Sequence, residues 1–268
     1  MATLVCFHAH PDDEAISTGG SMARAAAEGH RVVLVVATNG EHGEHPEDLG
    51  PGETLVERRR TETEASAAVL GVSRIVWLGY SDSGMTGWEQ NSHERAFIQA
   101  DVDEAAARLA GVLREERADV LTTYDWHGNY GHPDHIQVHR VGHRAAELAG
   151  TPAVFEATMN RDHIRRQMEA ARAAGVTLFE GPEEEFDIDG PADDGNPLGM
   201  PEAELTHAVD VSAYVVQKRD AVAAHRSQVT DTSFFLQMPE DAFAVAFGTE
   251  WFIEVGATPG VRPGWLFE

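Results

Sequence analysis

The chain has 268 residues, 20 Lys+Arg against 45 Asp+Glu for a formal charge of −25, and 42% hydrophobic residues. That length and apolar content can bury a sizeable core, which excludes wholesale disorder. With Lys218 as the single lysine, the basic footprint of a nucleic-acid or anionic-membrane binder is missing.

In chain order, short β-rich runs alternate with helical stretches, the pattern of repeated βαβ units with buried parallel strands. Residues 4–7 and 31–37 (RVVLVVA) read as strands, joined by a small-residue helix over 16–28 that stops at Gly29. A polar, glycine-rich loop over 38–52 leads to a helix at 55–70 and a third strand at 74–78 (RIVWL). After a second loop, 79–92, come a helix at 97–116, a strand at 119–123, a loop at 124–132 and a helix at 133–149. A strand over 151–157 and a helix over 162–174 follow. Residues 180–205 then carry ten acidic residues, no basic ones and several Gly and Pro, which reads as a loop or flap. A strand at 205–211, a helix at 214–226 and a closing strand at 250–255 complete a Rossmann-like α/β reading. The expected organisation is one domain over 1–268, with a core at 1–150 and a C-terminal segment, 206–268, completing the site.

Cys6 is the only cysteine, so disulfide frameworks, iron–sulfur clusters and Cys-rich zinc sites are excluded. The N-terminal residues lack the basic start and apolar stretch of a signal peptide, and no run reaches the roughly 18 apolar residues of a membrane span. The expectation is a cytoplasmic protein with no nucleic-acid partner and no membrane span; a homo-oligomer stays open. There is no G-x-G-x-x-G loop, which argues against a dinucleotide.

His-Pro-Asp occurs twice, in His10-Pro11-Asp12-Asp13-Glu14 and in His132-Pro133-Asp134-His135. From 14 His, 12 Pro and 18 Asp, chance predicts only about 0.04 copies. Both copies lie between a strand and a helix, where open parallel sheets bind ligands. Proline at a first helical position and acids in a first turn are also ordinary helix starts. That bland reading does not account for the histidines. His10 and Asp13, three apart across a tight turn, can converge with His135 from a neighbouring strand end. Two imidazoles and one carboxylate leave coordination positions open, as a catalytic zinc requires. Asp12 is then the candidate general base and Asp134 a partner for a histidine N–H. His132 and Tyr130 are candidates to stabilise an oxyanion or to protonate a leaving amine.

The two motifs, about 120 residues apart, resemble the LmbE-like or PIG-L superfamily of metal-dependent N-deacetylases. That group includes N-acetylglucosaminyl-phosphatidylinositol de-N-acetylases, the mycothiol-pathway deacetylase and the mycothiol S-conjugate amidase. The likeness covers roughly residues 3–150 and extends to Ala224-His225-Arg226-Ser227-Gln228. It implies Zn2+, or Fe2+ or another divalent metal, on His10, Asp13 and His135. Asp12 would be the base, and His132 with Tyr130 would act on the tetrahedral intermediate. By the same likeness Arg59, Asp82, Glu41 and His225 face a small-molecule N-acylated amino sugar. Ser17 stands where the amidase branch typically carries Lys, which favours a deacetylase. A catalytically silent sugar- or metal-binding protein is disfavoured by the presence of Asp12 and His132, which binding alone does not need. A phosphoester-cleaving metalloenzyme is disfavoured by a single clear metal set and no phosphate cradle. His139 and His143 share a helix face with His135, but a turn of roughly 5.4 Å carries His139 away from the first site, so it reads as a support behind the ligands or as structural. His8 is expected to pack beneath the site.

Overall fold

The runs that lack polar alternation become strands covered on both faces. All six residues of β1 (Thr3–His8) and seven of the eight in β2 (Arg31–Thr38) are buried in a computed structural model that describes residues 1–173, 187–230 and 233–268. The expected helix over 16–28 is two helices, α1 (Asp13–Ser17) and α2 (Gly19–Ala27). Thr18 interrupts them at φ −133° while its hydroxyl meets His8 Nε2 at 2.8 Å. The start of α2 is capped from far away: Glu250 accepts the N–H groups of Gly20 and Ser21 at 2.8 and 2.9 Å and also pairs with the buried Lys218. A Cβ on Gly20 would fall 2.5 Å from Val211, so only glycine allows this approach.

Next come α3 (Leu55–Val69), opened by a Thr54/Glu57 capping box, and β3 (Arg74–Tyr80). The helix expected at 97–116 begins later, as α4 (Val102–Glu116), because Asp101 caps it by accepting from Glu104 N–H. Then follow β4 (Val120–Tyr124), the short α5 (Gly128–Gly131), α6 (Pro133–Ala149) with the expected bounds, β5 (Ala153–Thr158) and α7 (Arg161–Ala173). The C-terminal segment supplies β6 (His207–Asp210), α8 (Val215–Ala224), α9 (Phe234–Gln237), α10 (Glu240–Phe247), β7 (Thr249–Glu254) and β8 (Arg262–Pro263).

The eight strands form one sheet in the order β3-β2-β1-β4-β5-β7-β6-β8. The first five are parallel, whereas β7 runs antiparallel to both β5 and β6. The fold is thus a Rossmann-like α/β sheet with a mixed edge. From β1 the chain winds outward to β2 and β3, then returns to place β4 on the other side of β1. That reversal opens a crevice at the C-terminal ends of β1 and β4, where both His-Pro-Asp turns sit. On the helical layers, α4 packs on α6, and α8 packs on α1, α2 and α3.

Of the acidic segment, residues 180–186 lie outside the described residues, as does residue 174 of the expected helix. The described part is not free in solvent. Gly199 N–H donates to Asn129 O at 2.6 Å and Asp193 N–H to Tyr130 O at 3.0 Å, so it straps the loop before α6. Among the described residues no helix is long and apolar enough to cross a membrane.

Candidate active site

The chain leaving β1 turns sharply at Asp12, a non-glycine residue at φ 101°. Such a conformation costs about 1–3 kcal/mol and persists only where its surroundings enforce it. Asp12 sits at the N-cap of α1, yet its carboxylate caps nothing. Instead Arg59 donates to it at 3.0 Å and to the carbonyls of Pro11 and Gly40 at 2.5 and 2.7 Å. Glu14 accepts the Asp12 N–H at 2.9 Å, which completes the enforcement. Burial raises the Asp12 pKa, against the pull of Arg59.

One residue on, Asp13 Oδ2 accepts the His10 N–H at 2.8 Å and lies 3.3 Å from His10 Nδ1 and 3.4 Å from His135 Nε2. Burial opposes its ionisation, but His135 and His10 hold the carboxyl well below its usual range. The other face of His10 is also acidic, with Nε2 at 3.2 Å from Asp134 Oδ2 and 3.6 Å from Asp82 Oδ1. Burial works against charge on His10, yet Asp82, Asp13 and Asp134 together lift its pKa well above the ordinary value.

A ring of His132 joins the group, since nitrogen atoms of His10, His132 and His135 lie within 4.8 Å of one another. His132 caps α6, its Nδ1 accepting the Asp134 N–H at 3.1 Å. Burial and the charges of His10 and His135 push its pKa far down, so it is neutral. Asp134 is fully buried and held by the N–H and hydroxyl of Ser83 as well as by His10. Tyr130 brings its hydroxyl to 3.5 Å from His135 Nε2, and burial raises its pKa. His8 packs beneath, as expected, between Tyr124 OH and Thr18; burial lowers it to about 4.

These donors fit a divalent metal. A tetrahedral ion with ligands at about 2.0–2.1 Å needs ligand–ligand separations of about 3.3–3.4 Å, which is what Asp13 Oδ2 makes with His10 Nδ1 and His135 Nε2. Asp134 on His10 Nε2 leaves Nδ1 as the free donor nitrogen, a carboxylate–histidine arrangement common behind metals. His10, Asp82 and Asp134 also cluster. Their carboxylates are already spent on Ser83, Gly84 and His42, so they serve better as support for His10.

The model for GlcNAc-PI de-N-acetylases (PIG-L) matches residues 5–146, just over half of the chain. The chain belongs to that family. Among full-length relatives, the 1D-myo-inositol 2-acetamido-2-deoxy-alpha-D-glucopyranoside deacetylase of Acidothermus cellulolyticus is 40% identical, covering 96% of this chain and 90% of its own. The protein of that name from Thermomonospora curvata is 41% identical over 93% and 89%. In fold, the chain is similar to N,N'-diacetylchitobiose deacetylase from Pyrococcus horikoshii, with a TM-score of 0.59 at 23% identity, covering 94% of this chain and 83% of that one.

For a family member, the second tier of expected residues divides. Glu41 and Asp82 meet in the wall of a cavity of about 490 Å3 that Glu89, Gln90 and His93 also line; Asp82 Oδ1, 3.6 Å from His10 Nε2, links it to the first motif. The Glu41 Oε2 atom is buried without a hydrogen-bond partner. Arg59 is instead tucked under Asp12, 4% exposed. His225 has no exposed surface; it donates to Glu14 Oε1 at 2.7 Å and reaches the site only through that residue. Burial works against charge on His225, but Glu14 raises its pKa. Ser227 bonds Glu62 and Gln228 bonds the Glu44 backbone, so the 224–228 segment is a clasp over α1 and α3. Glu14, inside the first motif, and Ser83, in the loop after β3, are the residues whose roles the sequence does not reveal. Their partners come from other elements, Ser66 and His225 for Glu14 and Asp134 for Ser83.

Proposed function

We propose that this enzyme is a zinc-dependent N-deacetylase that cleaves the acetamide of an N-acetylglucosamine joined to an uncharged polyol. The observation that carries the reading is the Asp13 carboxylate placed 3.3 and 3.4 Å from two imidazole nitrogens, with Asp12 beside it and Arg59 behind. A divalent metal held by His10, Asp13 and His135 would supply an acidified water and a polarised amide carbonyl, and iron would suit the same donors.

Asp12 takes the proton of the attacking water. Its strained backbone and Arg59 hold the carboxylate away from the helix N–H groups that would otherwise occupy it. Because His132 Nδ1 accepts the Asp134 N–H, its neutral ring carries the proton on Nε2, ready to donate to the oxyanion as the carbonyl becomes tetrahedral. The Tyr130 hydroxyl, kept protonated by burial, donates alongside. Asp12 then returns its proton to the departing nitrogen, and the C–N bond breaks to give a free amine and acetate. Water supplies both the new carboxylate oxygen and the proton, so the reaction balances.

The cavity at Asp82 is lined by three carboxylates (Glu41, Asp82, Glu89), two imidazoles (His42, His93) and Ser and Gln side chains, without Lys or Arg. It suits a hydroxyl-rich aglycone and repels phosphate. We place the reaction in the cytoplasm, where Cys6 stays a free, buried thiol. The zinc-loaded protein is expected to release amine and acetate from N-acetylglucosaminyl-inositol faster than from its inositol-phosphate counterpart. No amine from these glycosides, free N-acetylglucosamine or N,N'-diacetylchitobiose would contradict the reading.

A further inference from the structure

A second cluster of metal-competent side chains lies on the same helix as His135 but outside the active site. His139 and His143 stand four residues apart on α6 with ring centroids 4.3 Å apart. Glu156 reaches between them from β5, its Oε1 2.8 Å from His143 Nε2 and 3.3 Å from His139 Nδ1. Ligand atoms of all three residues lie within 4.8 Å of one another. We propose that His139, His143 and Glu156 form a second divalent-cation site that cross-links α6 to β5.

The chemistry of the set supports this. Two imidazoles and a carboxylate are the N/O donors that zinc and its neighbours in the first transition row favour. The separation of 3.3 Å matches the about 3.3 Å edge of a tetrahedral zinc site, and the one of 2.8 Å needs only a small widening to reach it. An i,i+4 pair on a helix needs no rearrangement to chelate. Burial resists charge on Glu156, but His139 and His143 overcome this and keep it a carboxylate. Among the described residues it has no Lys or Arg partner, so its negative charge is left for the imidazoles or for an ion that displaces their shared proton.

Both histidines keep a path to solvent, with side chains 21% and 29% exposed, while the carboxylate at the base is 12% exposed. The buried Tyr124 carbonyl accepts a hydrogen bond from His139 Nδ1 at 3.0 Å, through a proton that an ion on this nitrogen would displace. Tyr124 also stacks on His135, at 4.6 Å between ring centroids, so the end of β4 lies between the two clusters. An ion here would fasten the helix whose first turn carries His132, Asp134 and His135. His139, which by sequence reads as a support behind the first site or as structural, thereby becomes a ligand. The proposal does not depend on the deacetylase reading.

Metal content after zinc loading and dialysis, with zinc titration calorimetry, tests it. Wild-type protein should retain two zinc equivalents, and His143→Ala and Glu156→Gln one each, with amine release unchanged. Asp13→Ala should also retain one, and Asp13→Ala combined with Glu156→Gln none. Melting temperature should rise with the second equivalent in wild type but not in Glu156→Gln. Glu156→Gln keeps the shape of the side chain, so the test survives if His143→Ala fails to fold. One equivalent in wild type that persists in Glu156→Gln, or two persisting in both His143→Ala and Glu156→Gln, would overturn the site. Loss of activity in Asp13→Ala with the second equivalent intact keeps failure here distinct from failure of the active-site reading.

Discussion

The same tripeptide, His-Pro-Asp, is used in two opposite ways. In the second copy the bland account of a helix start holds: Pro133 is at the first position of α6, His132 caps it, and Asp134 lies in the first turn, fully buried and bonded to Ser83 and His10. In the first copy that account fails. Pro11 precedes the helix, Asp12 is strained at φ 101°, and its 18%-exposed side chain is steered by Arg59 instead of capping α1. One aspartate is locked and supports a histidine, whereas the other is aimed. A motif repeated in one dimension therefore marks the two lips of the β1/β4 crevice without assigning them equal work.

Substitutions can break or sharpen that contrast. The largest effect is expected at Asp13, the carboxylate that both lips share through His10 and His135. Asp13→Ala should lose active-site metal and bring amine release to background, read by metal analysis and turnover. Asp12→Asn comes next, keeping metal while kcat falls about 10²–10⁴-fold, the range for loss of a general base. His132→Ala should cost about 10²–10³-fold in kcat with little change in metal affinity, as for loss of an oxyanion donor. Asp134→Asn should act differently from Asp12→Asn, weakening metal affinity about 10–100-fold through His10 and leaving turnover of the fully loaded enzyme closer to normal. Identical behaviour of the two Asn variants would erase the distinction. The smallest effect is conformational: Asp12→Gly should be about 1 kcal/mol more stable than Asp12→Ala by thermal denaturation, because only glycine is at ease at φ 101°.

Much of this was legible in the sequence. The apolar runs RVVLVVA and DVLTT mark strands buried on both faces, and Pro133 and Gly150 bracket α6 at its observed ends. The convergence of His10, Asp13 and His135 follows from their positions at adjacent strand ends. What escaped is what depends on partners distant in the chain. The break at Thr18 is stabilised by His8, and the start of α2 by Glu250, 230 residues from Gly20. Glu14 finds His225 across 211 residues, a pairing that converts an expected substrate contact into a buried brace. Residues 227–249 carry too weak a period to announce α10, and β8 is only two residues long. The tension at Asp12 leaves no trace in composition, because aspartate is equally common where it merely caps a helix.

Anomalous scattering at the zinc edge from crystals of the zinc-loaded protein tests the central claim most directly, because it shows on which side of the His10 ring the active-site metal sits. A peak bounded by His10 Nδ1, Asp13 Oδ2 and His135 Nε2, within reach of Asp12, is the predicted result. A peak on the opposite side, between His10 Nε2, Asp82 and Asp134, or none in the crevice, would contradict it.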